Sequence, residues 1–332
     1  MKSNNFISII TGGAGFIGSN LADYLVQKNH KVIILDNFSS GRIENLKKIK
    51  NKIKIIKCDI SKDKKILFNN IKKADYVFHL AGLADIVPSI ENPEKYFQAN
   101  VVGTFNVLIA SQKAKIKKLV YAASASCYGI PKKIPINEKD KISTMYPYSL
   151  TKYLGEELVL HWKKVYKLPC VSLRFFNVYG PRSRTSGAYG AMFGVFLAQK
   201  LASKPLTIVG NGKQTRDFIH VSDLVNIIHK VAISQKKIRE VYNVGSGKET
   251  KVSLIANMIS KNQIYIPKRP GEPDRSLAGI KNLKKDFKWT PKVSIKKGVD
   301  ELLNNIFNWK NAPVWTPSKI KNQTKSWFKY LK

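Results

Sequence analysis

Short apolar runs recur along the first half of the chain, each separated from the next by enough residues for a helix. Residues 6–10 (Phe-Ile-Ser-Ile-Ile), Val32–Leu35, Ile53–Lys57, Tyr76–Leu80, Lys118–Ala122 and Cys170–Phe175 read as six strands. Helical spacing follows the first run through Leu21 and Leu25, and returns over Glu94–Lys113 and again over 148–166. In that last helix Leu150, Leu154, Leu158, Trp162 and Val165 share one stripe, expected to be the core face, with Tyr148 and Lys152 lying off it. The pattern changes at Asn177: a Gly-Pro-Arg string, a Gly/Ser-rich loop over Ser183–Gly190 and a helix over Ala191–Leu201 open a second lobe. Thr215–His220 and the strand near Tyr242–Val244 are expected to return toward the first lobe. Helices near 295–308 and 316–331 complete the second, and the last carries Ile320, Trp327, Phe328 and Leu331 on one packing side. The expected division is therefore 1–176, with returning segments near 216–245, and 177–332.

Composition narrows the class. A chain of 332 residues with 43% hydrophobic content suits a large soluble core, and no run approaches the ~18 apolar residues of a membrane span. The apolar run after Met1–Asn5 is too short for a signal-peptide core, so the expected location is cytoplasmic. Cys58, Cys127 and Cys170 are odd in number and widely spaced, as reduced thiols are, and no metal site is expected. His30, His79, His161, His220 and His229 also lack metal-ligand spacing. The net charge of +36 points formally to a nucleic-acid partner, but only eight of the 58 basic residues are arginine, and the lysines are scattered through every segment. Compositional bias accounts for that, and no nucleic-acid or membrane partner is expected.

Chemistry enters at the first strand–helix junction. Thr11-Gly12-x-x-Gly15-Phe16-Ile17-Gly18 sits between strand and helix, where glycines let the backbone and a helix N-terminus approach a pyrophosphate. Asp36 ends the second strand 18 residues after Gly18, placed to accept hydrogen bonds from an adenosine ribose and to favour NAD over NADP, with Arg42 nearby softening that preference. Asp59-Ile60 and Ala81-Gly82 end the next two strands along the same edge, and Asn100 opens an Asn-Val-Val-Gly-Thr string in the following helix. Three Tyr-x-x-x-Lys pairs occur: Tyr24/Lys28, Tyr128/Lys132 and Tyr148/Lys152. Tyr24 lies behind the glycine loop, and Tyr128 precedes Gly-Ile-Pro, which disfavours a helix. Only Tyr148 starts a helix, behind Pro147, so that Lys152 falls one turn away on its face.

Together the glycine loop, Asp36, Asp59-Ile60, Ser124 and Tyr148-x-x-x-Lys152 resemble the extended short-chain dehydrogenase/reductases, and within them the nucleotide-sugar 4-epimerases of the UDP-glucose and UDP-N-acetylglucosamine type. The resemblance implies an α/β fold: a Rossmann doubly wound parallel sheet with a smaller C-terminal α/β substrate-binding lobe. It also implies bound NAD, a UDP-sugar substrate and a homodimer paired through the helices near 94–113 and 148–166. Tyr148 becomes the acid/base, Lys152 the ribose anchor that lowers its pKa, and Ser124 the partner of the reacting oxygen. Asn177, Arg216, Arg269 and Glu272 fall where the family holds the diphosphate and nucleoside, while Asp217 and His220 belong to the same string or form a structural turn. Ala84 departs from the lysine that galactose epimerases often carry near the cofactor phosphates.

A free phenol has pKa ~10, roughly three units or ~4 kcal/mol above neutrality. One cation at ~4 Å is worth ~4 kcal/mol at an effective dielectric of ~20, so Lys152 beside the nicotinamide is expected to bring Tyr148 near neutrality. Dehydratases of this fold carry Asp-Glu where this chain has Ala125-Ser126, and decarboxylases keep a glutamate at position 126, so the resemblance favours epimerisation. Ser276, counted from Arg269, falls where glucose-restricted enzymes place a tyrosine, which leaves room for a 2-N-acetyl group. A dehydratase, a decarboxylase, an epimerase at another carbon and a non-catalytic nucleotide- or nucleic-acid-binding protein stand as the alternatives.

Overall fold

The computed structural model describes residues 5–183 and 192–331. The first half alternates strand and helix: β1 (Ile7–Thr11), α1 (Phe16–Gln27), β2 (Lys31–Asp36), β3 (Ile53–Lys57), α2 (Lys64–Ile71) and β4 (Tyr76–His79). It continues with α3 (Ile86–Glu91), α4 (Pro93–Phe97), α5 (Gly103–Ala114), β5 (Lys118–Ser124), α6 (Pro147–Tyr166) and β6 (Cys170–Phe175). The second half contributes β7 (Asn177–Tyr179), α7 (Met192–Leu201), β8 (Leu206–Val209), β9 (Thr215–His220), α8 (Val221–Ile233) and β10 (Val241–Val244). It ends with β11 (Glu249–Lys251), α9 (Val252–Ile259), β12 (Gln263–Ile266), α10 (Lys281–Phe287), α11 (Ile295–Asn304), α12 (Pro317–Gln323) and α13 (Lys325–Tyr330).

Seven strands form one parallel sheet in the order β10-β6-β5-β4-β1-β2-β3. Side chains alternate across it, so neighbours in one strand serve opposite cores. Ile10 and Phe78 pack with Leu21, Leu25 and Val225 on one face, while Ile9 and Val77 pack with Val107, Tyr121 and Val159 on the other. This is the Rossmann-like doubly wound sheet. Its strand order reverses beside β1, which pairs with β2 on one side and β4 on the other, and a crevice opens at their C-terminal ends.

Four expectations change in part. The helix expected over 94–113 is interrupted by a π turn at Gln98–Val102, which turns Asn100 inward. In α6 the inward face is Lys152, Gly155, Glu156 and Val159; of the expected stripe Trp162 is buried and Leu158 packs against the core, while Leu150 and Val165 are exposed. The reason is close packing on the sheet: a Cβ on Gly155 would lie 2.3 Å from the Tyr121 hydroxyl. Of the two segments expected to return to the first lobe, the one near Tyr242 joins the large sheet as β10; β9 pairs with β7 and β11 in a separate three-stranded sheet, while its Ile219 packs into the core beneath the large sheet. The helix expected over 316–331 is two helices broken at Thr324, so Ile320 and Trp327 are buried while Phe328 turns outward.

The smaller lobe adds a two-stranded parallel β8–β12 ribbon and its own core of Phe193, Phe196, Ile208, Ile255, Leu302 and Trp309. The Gly/Ser-rich loop from residue 184 and Ala191 lie outside the described residues. Among the described residues no helix is long and apolar enough to cross a membrane.

Candidate active site

The glycine loop is shaped by contacts that leave no room for side chains. Gly12 has φ +71°, and a Cβ there would lie 2.7 Å from the backbone of Ala81; on Gly18 it would lie 2.2 Å from the Gly12 carbonyl oxygen. Gly15 begins α1 with no side-chain cap, so Phe16, Ile17 and their neighbours present helix N-terminal amides at the crevice. Asp36 is buried beside this loop, its oxygens accepting from the N–H groups of Ala14 at 2.9 Å and Phe38 at 2.8 Å. Burial pushes its carboxyl up from the ordinary value, and the two backbone donors oppose that. Arg42 turns away from it to Asn45, at 3.4 Å. This cradle fits a dinucleotide with an unmodified adenosine ribose.

Asp59 accepts from the N–H and hydroxyl of Ser61 at 2.9 and 2.6 Å and from Asn37 at 3.2 Å. Ile60 is buried and packs under the glycine that starts α5. Asn100 accepts from the Leu83 N–H at 2.8 Å, and its amide donates to the Leu83 carbonyl at 3.1 Å and to the Thr151 hydroxyl at 3.0 Å. Its side chain thus fixes the loop at Ala81, Gly82 and Leu83 against α6. A Cβ on Gly82 would come within 2.8 Å of Asn100 Oδ1 and 3.6 Å of Lys152 Nζ, so this loop passes directly over the lysine. His79 is structural, held between the hydroxyls of Thr11 at 2.8 Å and Thr104 at 2.9 Å, with burial pulling its pKa down to about 3.

Ser124, Tyr148 and Lys152 come together where β5 ends and α6 begins. Pro147 occupies the first turn of α6, and Ser149 locks the start by donating to the Tyr146 carbonyl at 2.8 Å. Ser124 and Ser126 hydroxyls lie 2.8 Å apart. Burial raises the Tyr148 phenol, and hydrogen bonding from Ser124 and Ser126 opposes it. Lys152 is buried with its ammonium 4.4 Å from the centre of the Tyr121 ring. Burial pulls its pKa down to about 7, and Glu156 raises it. The expectation that Lys152 beside the nicotinamide tunes the phenol gains further contributors. A cation lowers a neighbour's pKa only while it keeps its own proton, so the two serines and Glu156 share the task. Glu156 is itself held by the Ser172 hydroxyl at 2.6 Å and by Arg174 Nε at 3.0 Å.

Opposite this edge, Arg216 and Arg269 share one carboxylate, Glu272, at 3.8 and 2.9 Å. Arg216 and Glu272 line a cavity of about 460 Å³ together with Gly210, Lys213, Lys268 and Arg275. Asn177 lies exposed at the start of β7, paired in register with Phe218, and Ser276 lies part-buried after Arg275; neither lines that cavity. Asp217 is a turn anchor that accepts from the N–H groups of Gly247 at 2.9 Å and Ala278 at 3.1 Å, and His220 caps α8 through Ser222. Among the described residues no group of three metal-ligating side chains converges.

Two residues at the site escaped the sequence reading. Tyr146 stacks on Tyr148, with ring centres 6.3 Å apart and planes 8° from parallel, and hydrogen-bonds to Ser126. Its place two positions before Tyr148 was a visible signal. Trp327 reaches the site from the last helix, and nothing local to it in the sequence pointed there.

Three comparisons bear on this geometry. The profile of the NAD dependent epimerase/dehydratase family matches residues 8–245. A putative UDP-glucose 4-epimerase of Methanocaldococcus jannaschii is 35% identical over 310 residues, spanning 90% of this chain and 98% of its own. Among solved structures, a UDP-N-acetylglucosamine 4-epimerase from Methanobrevibacter ruminantium, in complex with UDP-N-acetylmuramic acid, superposes with a TM-score of 0.84 at 32% identity, covering 91% of this chain and 99% of that one. A UDP-glucuronic acid 4-epimerase from Bacillus cereus, in complex with UDP-glucuronic acid and NAD, gives 0.83 at 29% identity, covering 91% and 99%. With a glycine loop, a buried aspartate beside it and Ser124, Tyr148 and Lys152 near the ends of the strands, the chain belongs to the NAD-dependent epimerase/dehydratase family of extended short-chain dehydrogenases/reductases. It binds NAD and is an enzyme of nucleotide-sugar modification, a class that spans epimerisation, dehydration and decarboxylation.

Proposed function

We propose that the protein is a 4-epimerase of UDP-sugars, acting on UDP-GlcNAc and UDP-GalNAc, with UDP-Glc and UDP-Gal as further candidates. The observation that carries this reading is the make-up of positions 124–126: Ser124 and Ser126 supply hydroxyls beside Tyr148, and Ala125 supplies none. Elimination of water across C5 and C6 needs an acid and a base beyond Tyr148, and this triplet contains no carboxyl group. A centre with one titrating phenol can take a proton from a sugar hydroxyl and give it back.

Residues Gly12, Gly15, Phe16, Ile17 and Gly18 would hold the pyrophosphate of NAD, and Asp36 its adenosine ribose. Asp59, Ile60, Ala81, Gly82 and Asn100 would shape the rest of its bed, and Lys152 would bind the nicotinamide ribose. The chemistry NAD supplies when bound is reversible hydride uptake from the sugar. Tyr148 as phenolate takes the proton of the 4-hydroxyl, with Ser124 donating to the same oxygen. Ser124 and Tyr148 then hold the ketone oxygen as the sugar turns over, and Tyr148 returns the proton after hydride adds to the other face. Net oxidation state is unchanged. Arg216 and Arg269, oriented by Glu272, offer guanidinium forks to the diphosphate, and Asn177 and Ser276 complete the substrate side.

The test is a nucleotide-sugar panel assayed by NMR, with identification of the dinucleotide released on denaturation. Interconversion of the C4 epimers with no consumption of NAD supports the reading. A stable 4-keto-6-deoxy product, or release of carbon dioxide from a uronate, replaces it with dehydration or decarboxylation. Ser276→Tyr is expected to remove turnover of the acetylated sugars selectively; activity on UDP-glucose alone in the unaltered protein sinks that assignment. The protein is further proposed to act as a homodimer through α5 and α6, whose outer faces expose Phe105, Leu150 and Val165.

A further inference from the structure

The last helix, α13, packs one buried residue against the turn that carries Arg269 and Glu272. Trp327 on α13 is 3% exposed, and its indole N–H donates to the Pro270 carbonyl at 2.8 Å. The Arg269 guanidinium lies over the indole at 5.3 Å from the ring centre, and the Tyr146 ring lies 6.5 Å away on another side. Next to it Ser326 donates to Glu91 Oε1 on α3 at 3.2 Å, which ties α13 to the larger lobe. One indole therefore touches the arginine that shares Glu272, the turn that carries that arginine, and the phenol stacked on Tyr148.

The division of labour on Arg269 follows from its shape. A guanidinium offers its flat face to an aromatic ring and its edge to anions. Here the guanidinium lies over the Trp327 ring, 5.3 Å from its centre, and one edge nitrogen bonds Glu272 at 2.9 Å. A carboxylate contact at one edge nitrogen leaves the plane of a guanidinium freedom to turn about that contact. A ring beneath it removes this freedom before a ligand arrives, and pre-ordering of this kind appears as affinity. The Pro270 carbonyl matters equally. It belongs to a turn whose next residue, Gly271, has φ +73°, so the indole N–H also holds the backbone from which Arg269 and Glu272 project.

We propose that Trp327 is a positioning residue for substrate binding: its face and its N–H hold Arg269 with the guanidinium edge presented to the diphosphate of a nucleotide sugar. The proposal rests on the nucleotide-sugar reading of the site. By it, the C-terminal helix is part of the binding machinery although it is distant in sequence from every other residue of the site.

The experiment is calorimetric titration of the NAD-loaded protein with UDP, on the unaltered chain, Trp327→Phe, Trp327→Leu, Arg269→Leu and the Trp327→Leu/Arg269→Leu pair. Trp327→Leu is expected to weaken UDP about tenfold and Trp327→Phe, which keeps a ring but loses the N–H, about threefold. In the Arg269→Leu background, Trp327→Leu is expected to add almost nothing, because the group it positions is gone. Bound NAD stays at the unaltered level in both tryptophan variants, and in turnover Trp327→Phe raises KM and leaves kcat alone. Trp327→Phe keeps the test decisive should Trp327→Leu fail to fold. Unchanged UDP affinity in the folded tryptophan variants, or an additive double mutant, overturns the proposal while the nucleotide reading stands. An unaltered protein that ignores UDP overturns the nucleotide reading itself, and the proposal with it.

Discussion

The rings of Tyr146 and Tyr148 stack 8° from parallel with their centres 6.3 Å apart, and both phenols hydrogen-bond to Ser126. Ser126 therefore joins a phenol that must ionise to one that stays neutral. Burial raises Tyr146, and the neighbouring Tyr148 and Glu272 raise it further, so it keeps its proton. The Ser126 hydroxyl opposes the upward shift of both phenols, and the phenol that must ionise draws on it as a donor.

Ser126→Ala keeps the stacked rings and removes that hydroxyl. The phenolate of Tyr148 then loses support, its pKa rises, and the rising limb of the pH–rate profile moves to higher pH. Turnover near pH 7 is expected to fall about tenfold, or roughly one pKa unit, with recovery as the pH is raised. A uniform loss at every pH would assign the residue a packing role only.

Tyr148→Phe removes the acid/base while keeping the ring in place. Turnover should drop by about 10³-fold or more, the scale of general acid–base catalysis, with bound dinucleotide retained. A variant of near-normal rate sinks the mechanism; absorbance of the dinucleotide released on denaturation checks the cofactor.

Glu156 is 1% exposed and carries Arg174 on one side while raising the pKa of Lys152 on the other. Glu156→Gln leaves the arginine buried without its counter-charge, which costs about 3–5 kcal/mol in denaturant titration. It also lowers the Lys152 pKa below its present value of about 7, so turnover at neutral pH falls. The second effect is read from the pH profile of whatever folded fraction remains.

Acid should loosen the sheet from the edge opposite the site. His30 and His229 face each other there with their Nε2 atoms 3.3 Å apart, among Tyr24, Tyr76, Phe6, Lys28 and Asp75. Burial depresses both, His229 to about 4, while Asp75 raises His30. The unfolded chain binds these protons first, near the ordinary histidine value of ~6.5. Stability from the pair is therefore complete above that pH and is lost as the pH falls toward the folded values. Thermal unfolding between pH 7 and 4 should show a falling midpoint, with a shallower slope in His229→Gln.

The outer faces of α5 and α6 test the assembly. Phe105 and Leu150 are exposed at 39% and 44%. Phe105→Glu with Leu150→Glu is expected to convert a dimer to monomers in light scattering after gel filtration. A monomeric unaltered protein removes the proposal.

Some of the site was legible in one dimension. The Thr11–Gly18 string between a strand and a helix, Asp36 at the end of β2, and Pro147 ahead of Tyr148 are local signals, since each depends on spacing of a few residues along one element. The face of α6 was misread for a physical reason. An apolar stripe says that a surface avoids water, not which surface covers it, and Gly155 against Tyr121 shows that the sheet-facing side needed small and polar residues instead.

What the sequence determined by itself was the alternation of strands and helices, the glycine turn and the residue types poised at the strand ends, because backbone sterics and side-chain period act locally. Tertiary structure decided the rest. It turned Asn100 inward through a π turn, buried Lys152 until its pKa approached neutrality, and set Ser126 between two phenols. It also carried Trp327 from the end of the chain to Arg269. Desolvation and contact between distant segments exist only once the chain has folded, and in this protein those two effects set the electrostatics of the centre and the shape of the substrate side.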